Sequence, residues 1–459
     1  MRALRIELRR SAAAGTALLL IALGIVGYVW GANSAPGGWA TMAFAQRVDL
    51  FIMWPLAIGA GAWQARRERI AGVGELFATS PRSPAQRLTP VAAALAIAVV
   101  AAYLVMLLAG TVRVGLSPAD MYFTLEGAAA AAVGAGSLIS AAWLGLWLGR
   151  LIPSAFTAPV VTMLGVALMT VLDEVDMRVS GPAFSLLVPA LESPYQRDHV
   201  QLPLEVSGQQ ALWLAALAVT AFTFTTAARR RGQLLALVPV AIAALIVIPT
   251  LPPGDTDSVY TEDKDARRLV CTQDLPKVCV MRVHSGILAE VTGPSRKALR
   301  AMAFLPEAPT SVAEVPEPAP LGPGSLGQAT STPVEPEEPV DPRTVSMTVY
   351  LNRGGHYDET ETLVGDLVDG AGTPDCDTSE WSPEQRDRYF VAREIAGAWL
   401  ARTSGSAAPE SSSPALFDLG WKVLTALPAD TQRKRLIAFR ADALRCSGDL
   451  YTDLTGDPA

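Results

Sequence analysis

Seven apolar stretches fill most of the first 250 residues. Each approaches the roughly 20 residues that a helix needs to cross about 30 Å of hydrocarbon. The stretches cover residues 11–32, 48–65, 88–112, 126–149, 153–172, 211–227 and 232–250. The first is longer than the core of a secretory signal and six more follow it, which favours an uncleaved helix. The pattern predicts a polytopic α-helical membrane protein with about seven transmembrane helices.

The basic residues between these stretches fall on one side of the predicted membrane. If the N-terminus is cytoplasmic, the loops on that side contain Arg66, Arg67, Arg69, Arg82, Arg87, Arg150, Arg229, Arg230 and Arg231. The opposite loops contain mainly Arg113, Arg178 and Arg197, which are offset by neighbouring carboxylates. Cytoplasmic loops carry the excess of Lys and Arg. The sequence therefore predicts a multi-pass protein of the cell (plasma) membrane, with its N-terminus in the cytoplasm and its C-terminal part outside.

Charge and composition divide the chain into two environments. The formal net charge is −7, every Lys lies at or beyond Lys264, and the distal half is acidic and rich in Pro. An acidic chain without a basic stripe gives no indication that the protein binds nucleic acid. The predicted domains are an interfacial helix at 1–10, a six-span membrane domain at 11–230, a seventh span at 231–250 and an extracytoplasmic domain at 257–459.

The extracytoplasmic domain is predicted to be α+β and dominated by helices. Residues 257–303 are expected to form a hairpin over Arg268–Val283, then a helix, with a second helix from Pro294, and a strand is expected over Thr344–Leu351. Further helices are expected at 360–368, 382–402, 415–427 and 430–445. Residues 305–342 are rich in Pro, Glu, Ala and Ser, which is typical of a semi-extended linker or a long loop.

The cysteines test the topology independently of the charges. Cys271, Cys279, Cys376 and Cys446 all lie in the segment predicted to be outside, where disulfides persist. We expect Cys271 to pair with Cys279 across the hairpin, which leaves Cys376 to pair with Cys446. Four unpaired structural cysteines are the alternative. Zinc ligation is less favoured, because no pair has the two-to-four-residue spacing of a structural zinc site.

No enzymatic motif emerges from the distal half. The helix at 382–402 contains Arg393-Glu394 but lacks the two histidines of a zinc-peptidase helix. His199, His284 and His356 are scattered, and a metal site at His356 with Glu359 and Glu361 is less favoured than a solvated turn. We predict no catalytic residues and no metal, and hence a binding or lid domain.

The predicted spans contain almost no charge. Arg47 and Asp49 lie at the outer end of the second span and are expected to form an interfacial ion pair rather than a substrate contact. Gly134, Gly136 and Ser137 are small enough to permit close helix packing. Spans with so little charge suit a translocation path for an apolar or amphiphilic substrate, or a helix bundle that mainly transmits force.

The loop between the second and third spans, Ala65–Arg87, reads ARRERIAGVGELFATSPRSPAQR. Ile70, Val73 and either Leu76 or Phe77 recur at helical spacing, which predicts a short amphipathic helix on the cytoplasmic surface. Pro81 would end that helix. An ordinary positive-inside loop is the alternative, and it explains the arginines but not the whole pattern.

This loop resembles the first cytoplasmic loop of type-2 ABC exporter permeases, in particular an actinobacterial branch with an extra span and an extracytoplasmic C-terminal domain. In that family the loop is a coupling helix that docks on the ATPase subunit. The resemblance assigns this role to Arg66, Arg67, Glu68, Gly72, Glu75, Leu76, Phe77 and Pro81. Met1–Arg10 is similar to the family's interfacial helix, and Gly181–Leu191, too short to cross, is similar to its external re-entrant helices.

The resemblance implies that residues 11–230 are permease-like and that the partner is an ABC ATPase subunit. The chain lacks a G-x-x-x-x-G-K-[ST] loop, so ATP and Mg would be bound by that partner and no cofactor by this chain. A homodimer, or pairing with a second permease, would enclose the path within the lipid bilayer. The seventh span departs from the family pattern.

Two other functions compete with an exporter subunit. One is a membrane-anchored sensor or scaffold whose external domain binds a ligand or a cell-envelope partner. The other is a membrane-anchored hydrolase, for which the sequence offers least. The substrate, the direction of transport and the role of the external domain do not follow from the sequence.

Overall fold

The fold is described from a computed structural model. It describes residues 2–10, 12–30, 38–70, 83–118, 121–178, 182–190, 198–227, 230–252, 259–316, 341, 343–352, 354–358, 362–407 and 411–456. The chain is mostly helical and divides into two compact units, Met1–Asp263 and Lys264–Ala459. The first unit contains the apolar helices and the second contains both disulfides.

The first unit is a helical bundle. Its helices are α1 (Arg2–Arg10), α2 (Ala12–Trp30), α3 (Trp39–Ile70), α4 (Pro84–Leu116), α5 (Leu125–Leu151), α6 (Thr157–Arg178), α7 (Leu204–Thr226), α8 (Arg230–Ala236) and α9 (Val238–Val247). A short 3-10 helix, Phe184–Leu187, lies between α6 and α7, and another, Ile248–Thr250, follows α9. The helices run beyond most of the apolar stretches that predicted them, because polar residues at their ends continue the same hydrogen-bonding pattern.

Within the described ranges, three segments are long and apolar enough to cross a membrane: Pro84–Leu116, Leu125–Leu151 and Arg231–Thr250. Ala12–Gly27 and Thr157–Leu172 are shorter apolar helices. Large apolar side chains such as Leu108, Met163 and Leu245 are more than 60% exposed. Such exposure suits a hydrocarbon solvent rather than water.

Local sequence explains where the long helices begin. Ser83 caps α4 through its side chain, which accepts from the backbone N–H of Gln86, while the Gln86 side chain accepts from the N–H of Ser83. Thr124 caps α5 by accepting from the N–H of Gly127. Each cap satisfies backbone donors that have no partner within the helix.

Glycines let α3 and α5 pack at backbone distance. A Cβ at Gly145 would lie 1.9 Å from the carbonyl oxygen of Ile58, and one at Gly61 would lie 2.1 Å from that of Ala142. Gly134 is also tightly packed, against Tyr103, whereas Gly136 has nothing within 4 Å. The prediction of close packing therefore holds for Gly134 and is wrong for Gly136, which lies on an exposed face.

Two short strands complete the first unit. Strand β1 (Val200–Gln201) pairs antiparallel with β2 (Thr261–Glu262). Asp263 extends this pairing, because its N–H donates to the His199 carbonyl at 2.8 Å. Residues 259–263 therefore pack with the first unit, and the second compact unit begins at Lys264.

The second unit is built on a mixed four-stranded sheet. Its strands are β3 (Leu269–Cys271), β4 (Lys277–Met281), β5 (Ser311–Glu314) and β6 (Thr344–Met347), in that spatial order. The β3–β4 pair is antiparallel, as the predicted hairpin requires, whereas β4–β5 and β5–β6 are parallel.

Strand β5 corrects the predicted linker at 305–342. Val312 is fully buried in the centre of the sheet, and Leu305 belongs to the hydrophobic core. Residues 305–316 are therefore part of the folded unit, and the predicted linker or loop begins too early. The Pro-rich composition of this stretch gave no indication of the four-residue strand, in which half-buried and buried residues alternate.

Helices pack around this sheet. They are α10 (Lys264–Arg267), α11 (Leu288–Met302), α12 (Leu363–Leu367), α13 (Pro383–Ser404), α14 (Pro414–Ala426), α15 (Ala429–Ala443) and α16 (Leu450–Thr455). Helix α11 runs through Pro294 instead of beginning there. The centre of α13 is buried on several sides, with Ile395, Ala396 and Leu400 fully buried.

The four cysteines form the two disulfides expected from their positions. Cys271 pairs with Cys279 directly across the β3–β4 hairpin. Cys376 pairs with Cys446 and closes a loop with a sequence separation of 70 residues. The second disulfide joins the segment before α13 to the end of α15, so it fastens the helical half of the second unit.

Candidate functional site

The predicted coupling loop lies almost entirely outside the described residues. Arg66 is half-buried near the end of α3, and its guanidinium carbon lies 5.8 Å from the centre of the Trp63 ring. Arg67 and Glu68 continue α3, but their side chains are not among those described. Gly72, Glu75, Leu76, Phe77 and Pro81 all fall between residues 71 and 82, outside the described ranges.

The described residues that flank this loop lie at one end of the first unit. The N–H of Ala12, which starts α2, donates to Gln64 Oε1 near the end of α3 at 3.0 Å. Leu4 and Leu8 of α1 pack on a small cluster with Ala94 of α4. Arg150, at the end of α5, donates to the Thr225 carbonyl at the end of α7. The basic ends of several helices therefore converge at this end, which we call the basic end.

The opposite end of the unit is held by aromatic and polar contacts. Trp39 at the start of α3 donates to Thr111 near the end of α4 at 3.1 Å, and its ring lies 4.4 Å from that of Phe123. The N–H of Ala183 donates to the Pro252 carbonyl at 2.9 Å. The helices thus alternate in direction between two ends.

A short segment, residues 182–190, is fastened at this opposite end by side chains from two helices. Arg47 of α3 donates through Nε and Nη2 to the Pro189 carbonyl, at 3.0 and 2.8 Å. Gln210 of α7 donates to the Leu186 carbonyl at 2.9 Å, and Trp213 donates to that of Leu187 at 3.0 Å. The donors from α7 satisfy carbonyls that the four-residue 3-10 helix leaves without intrahelical partners, and Arg47 satisfies a carbonyl just beyond the end of that helix.

Arg47 is fully buried, and the ion pair predicted between it and Asp49 does not form. Arg47 Nη2 instead donates to Gln210 Oε1 at 2.9 Å, while Asp49 points to another helix and lies beside Gly27 of α2. Residues two positions apart on a helix do not face each other. The sequence identified Arg47 as a charge in an apolar stretch but gave the wrong partner, because Gln210 lies 163 positions away in the sequence.

An apolar groove lies between α3, α5 and α6. Its volume is about 390 Å³ and nearly all of its lining atoms are apolar. It is lined by Trp54, Ile58, Leu144, Leu148, Ile152, Ser154, Phe156, Thr157, Val160, Val161, Leu164, Gly165 and Leu168. Trp54 is the one of these whose polar atom is buried without a hydrogen-bond partner. The residues are ordinary span residues by composition, so no sequence signal distinguished them.

The second unit uses its buried charges to hold loops. Arg393 of α13 lies 3.1 Å from Asp375 and 3.5 Å from Asp369, and it also donates to the Thr373 carbonyl. Burial, opposed by the charge of Arg393, raises the pKa of Asp369. Glu394 accepts from Ser412 at the start of the next helical segment. Both residues of the Arg-Glu pair therefore have structural partners.

The histidines do not converge. His199 lies in the first unit, His284 contacts Glu314 at 2.5 Å within the second, and His356 lies 3.4 Å from Glu290. Glu359 and Glu361 are outside the described residues. Within the ranges that the structure describes, no group of three or more His, Cys, Asp or Glu residues could hold a metal ion.

One partly buried carboxyl group of the second unit has a strongly raised pKa. Burial, together with the nearby charges of Asp442 and Asp449, raises the pKa of Asp453 to about 6. Asp453 lies on the short helix α16, beside the end of α15. It offers a pH-sensitive point for measuring the stability of the second unit.

Comparison with known proteins adds no relative. No family model, no curated protein and no solved structure matches this chain.

Proposed function

We propose that this chain is the membrane subunit of an ABC-type exporter. It would couple ATP hydrolysis on a separate subunit to movement of an apolar or amphiphilic substrate. The observation that carries the proposal is the basic end, where α3 and α4 are joined by a loop whose sequence resembles a coupling helix. Residues in this loop, Glu75 and Leu76 above all, would contact the ATPase.

The length of α3 supports this arrangement. It has 32 residues, and at 1.5 Å per residue it is about 48 Å long. The hydrocarbon core is only about 30 Å thick. If α3 spans the membrane, its last turns would project beyond the apolar layer and carry Arg66 and Arg67 into the aqueous region where a soluble partner would bind.

The proposed topology has seven transmembrane helices. Helices α3 and α7 are added to the apolar helices because they pack inside the same bundle, and α8 and α9 form the last span. Under the positive-inside rule, the basic end would then lie in the cytoplasm. The disulfide-bonded second unit follows the seventh span and would lie outside, where disulfides persist.

Photocrosslinking tests the partner and the surface together. A photoreactive residue at Leu76 should crosslink to a nucleotide-binding subunit in native membranes. The control places the same residue at Phe123, which is 58% exposed at the opposite end of the unit. Equal crosslinking from both positions, or none from Leu76 with the protein correctly inserted, would contradict the proposal.

A sensor or scaffold is the second candidate. The observation that favours it is the second unit itself, a folded and disulfide-bonded body of nearly 200 residues that a transport path does not require. For this candidate the protein would bind a cell-envelope ligand without an ATPase. A stable complex with a nucleotide-binding subunit would exclude it as the main function.

A further inference from the structure

Arg47 is a buried cation without a compensating anion. Its side chain is fully buried, and its hydrogen-bond acceptors are the Pro189 carbonyl and Gln210 Oε1, both neutral. Nη1 has no acceptor. No carboxylate of the described residues forms an ion pair with it. A buried charge is unfavourable unless it is paired, and in a membrane protein such a residue generally marks a functional site.

The buried arginines of the second unit show which hydrogen-bond and ion-pair partners a structural arginine has in this protein. Arg393 is paired with two carboxylates. Arg440 donates from Nε, Nη1 and Nη2 to the carbonyls of residues 306, 371 and 307. Arg47 differs from both, because it has neither a carboxylate nor a full set of acceptors.

A second polar group without a partner accompanies Arg47. Tyr103 of α4 is fully buried, its hydroxyl has no hydrogen-bond partner, and it interacts electrostatically with Arg47. The hydroxyl occupies the space beside Gly134, where a Cβ would lie 2.4 Å from it. An acceptor placed between Arg47 and Tyr103 would satisfy both groups.

The apolar groove begins on the same face of α3. Trp54 follows Arg47 by seven residues, which on a helix means the same face and a rise of about 10 Å. An anionic group at Arg47 could therefore continue into an apolar chain lying against Trp54 and Ile58. No described charged side chain lines the groove.

We propose that Arg47 and Tyr103 bind the anionic head group of an amphiphile whose apolar chain occupies the groove. This inference rests on the proposed function and gives its substrate a class. The head group would be a phosphate or a carboxylate, since Arg binds either through two parallel hydrogen bonds.

Binding would also release the 182–190 segment. The nitrogens that an anion would engage are those that now hold the Pro189 carbonyl. An anion adds a charge–charge attraction to the guanidinium that the neutral Pro189 carbonyl lacks, and this attraction is strong in a buried site, so the anion competes effectively. The cargo itself would thus loosen the segment at the end of the bundle opposite the basic end.

Thiol labelling of the full-length chain, purified without an ATPase, tests this inference. All four native cysteines are in disulfides, so Ser185→Cys supplies a single thiol in the buried centre of the segment. The labelling rate is measured in neutral detergent with oleoyl lysophosphatidate, with the uncharged monooleoylglycerol or with inorganic phosphate. Lysophosphatidate should raise the rate about tenfold, as expected for local opening, and the other two should not.

Two further variants separate binding from folding. Arg47→Gln should label fast in every condition and lose the response, with its second-unit disulfides intact. Tyr103→Phe should require several-fold more lysophosphatidate. The matched control Thr220→Val also removes a buried hydroxyl without a partner, but far along α7, and should respond like the parent protein.

The outcomes are distinct. Equal responses to lysophosphatidate and monooleoylglycerol, or an unchanged response in both Arg47→Gln and Tyr103→Phe, would overturn the head-group site. A response to inorganic phosphate alone would overturn the amphiphile and leave a site for a free anion. The labelling test contains no ATPase, so a negative result would not contradict the exporter proposal. Conversely, failure to bind an ATPase would not contradict a positive labelling result.

Discussion

Substitution of Gly145 by alanine should destabilise the bundle where α3 and α5 cross. The new Cβ would lie 1.9 Å from the Ile58 carbonyl oxygen and 2.7 Å from its carbon. Both are backbone atoms, so the helices must move apart by more than 1 Å to reach ordinary contact. Overpacking of this kind costs about 1–3 kcal/mol, and we expect the upper end because no side chain can turn away. Alanine also favours the helix over glycine by about 1 kcal/mol, so the free energy of unfolding should fall by about 2 kcal/mol in total.

Gly136→Ala is the matched control, because it is on the same helix and has nothing within 4 Å. It should be neutral or slightly stabilising. Both variants are compared by unfolding the full-length protein in mixed micelles with increasing dodecyl sulfate, followed by tryptophan fluorescence. Equal stability of Gly145→Ala and the parent, or equal losses in the two variants, would refute the close backbone crossing.

Three further predictions concern the second unit. Replacing Cys376 and Cys446 together by serine should cost about 4 kcal/mol of unfolding free energy by loop entropy, measured by urea unfolding; an unchanged midpoint would contradict it. Asp453→Asn should raise the free energy of unfolding at pH 7 by up to about 1 kcal/mol after discounting for exposure. The parent protein should lose stability as the pH rises from about 4 to 6, because its raised pKa lets the folded state hold a proton that the unfolded state loses. The substitution should abolish this loss. Arg440→Met leaves buried carbonyls without donors at about 1–3 kcal/mol each, so hydrogen exchange in the second unit should accelerate, whereas exposed Arg445→Met should change little.

Local signals in the sequence predicted local structure well. The predicted hairpin at 268–283 contains the β3–β4 pair and anticipated the Cys271–Cys279 disulfide. The helix at 382–402 was anticipated close to its bounds because Ser382 and Pro383 start it. Strand β5 was missed, since its neighbours β4 and β6 lie far away in sequence and a four-residue strand is hard to read amid prolines.

The candidate site shows the same limit. Arg47 stood out as a charge in an apolar stretch, but its contact with Pro189 and Gln210 depends on how α7 and the 182–190 segment fold against α3. Likewise, Gly61 and Gly145 look like any other glycines until the two helices are placed together. Partners that are distant in sequence leave no periodic signal, so pattern analysis finds the residue and misses the contact.

The central claim is that an ATPase subunit binds at the basic end. The most direct measurement is ATP hydrolysis by material purified from native membranes through a tag on this chain. We predict vanadate-sensitive hydrolysis from a co-purified nucleotide-binding subunit, which is lost in a variant carrying Glu75→Arg and Leu76→Asp. It should be retained in Glu205→Arg, an exposed charge reversal at the start of α7. Recovery of the intact chain with no nucleotide-binding subunit, or equal hydrolysis in all three proteins, would contradict the account.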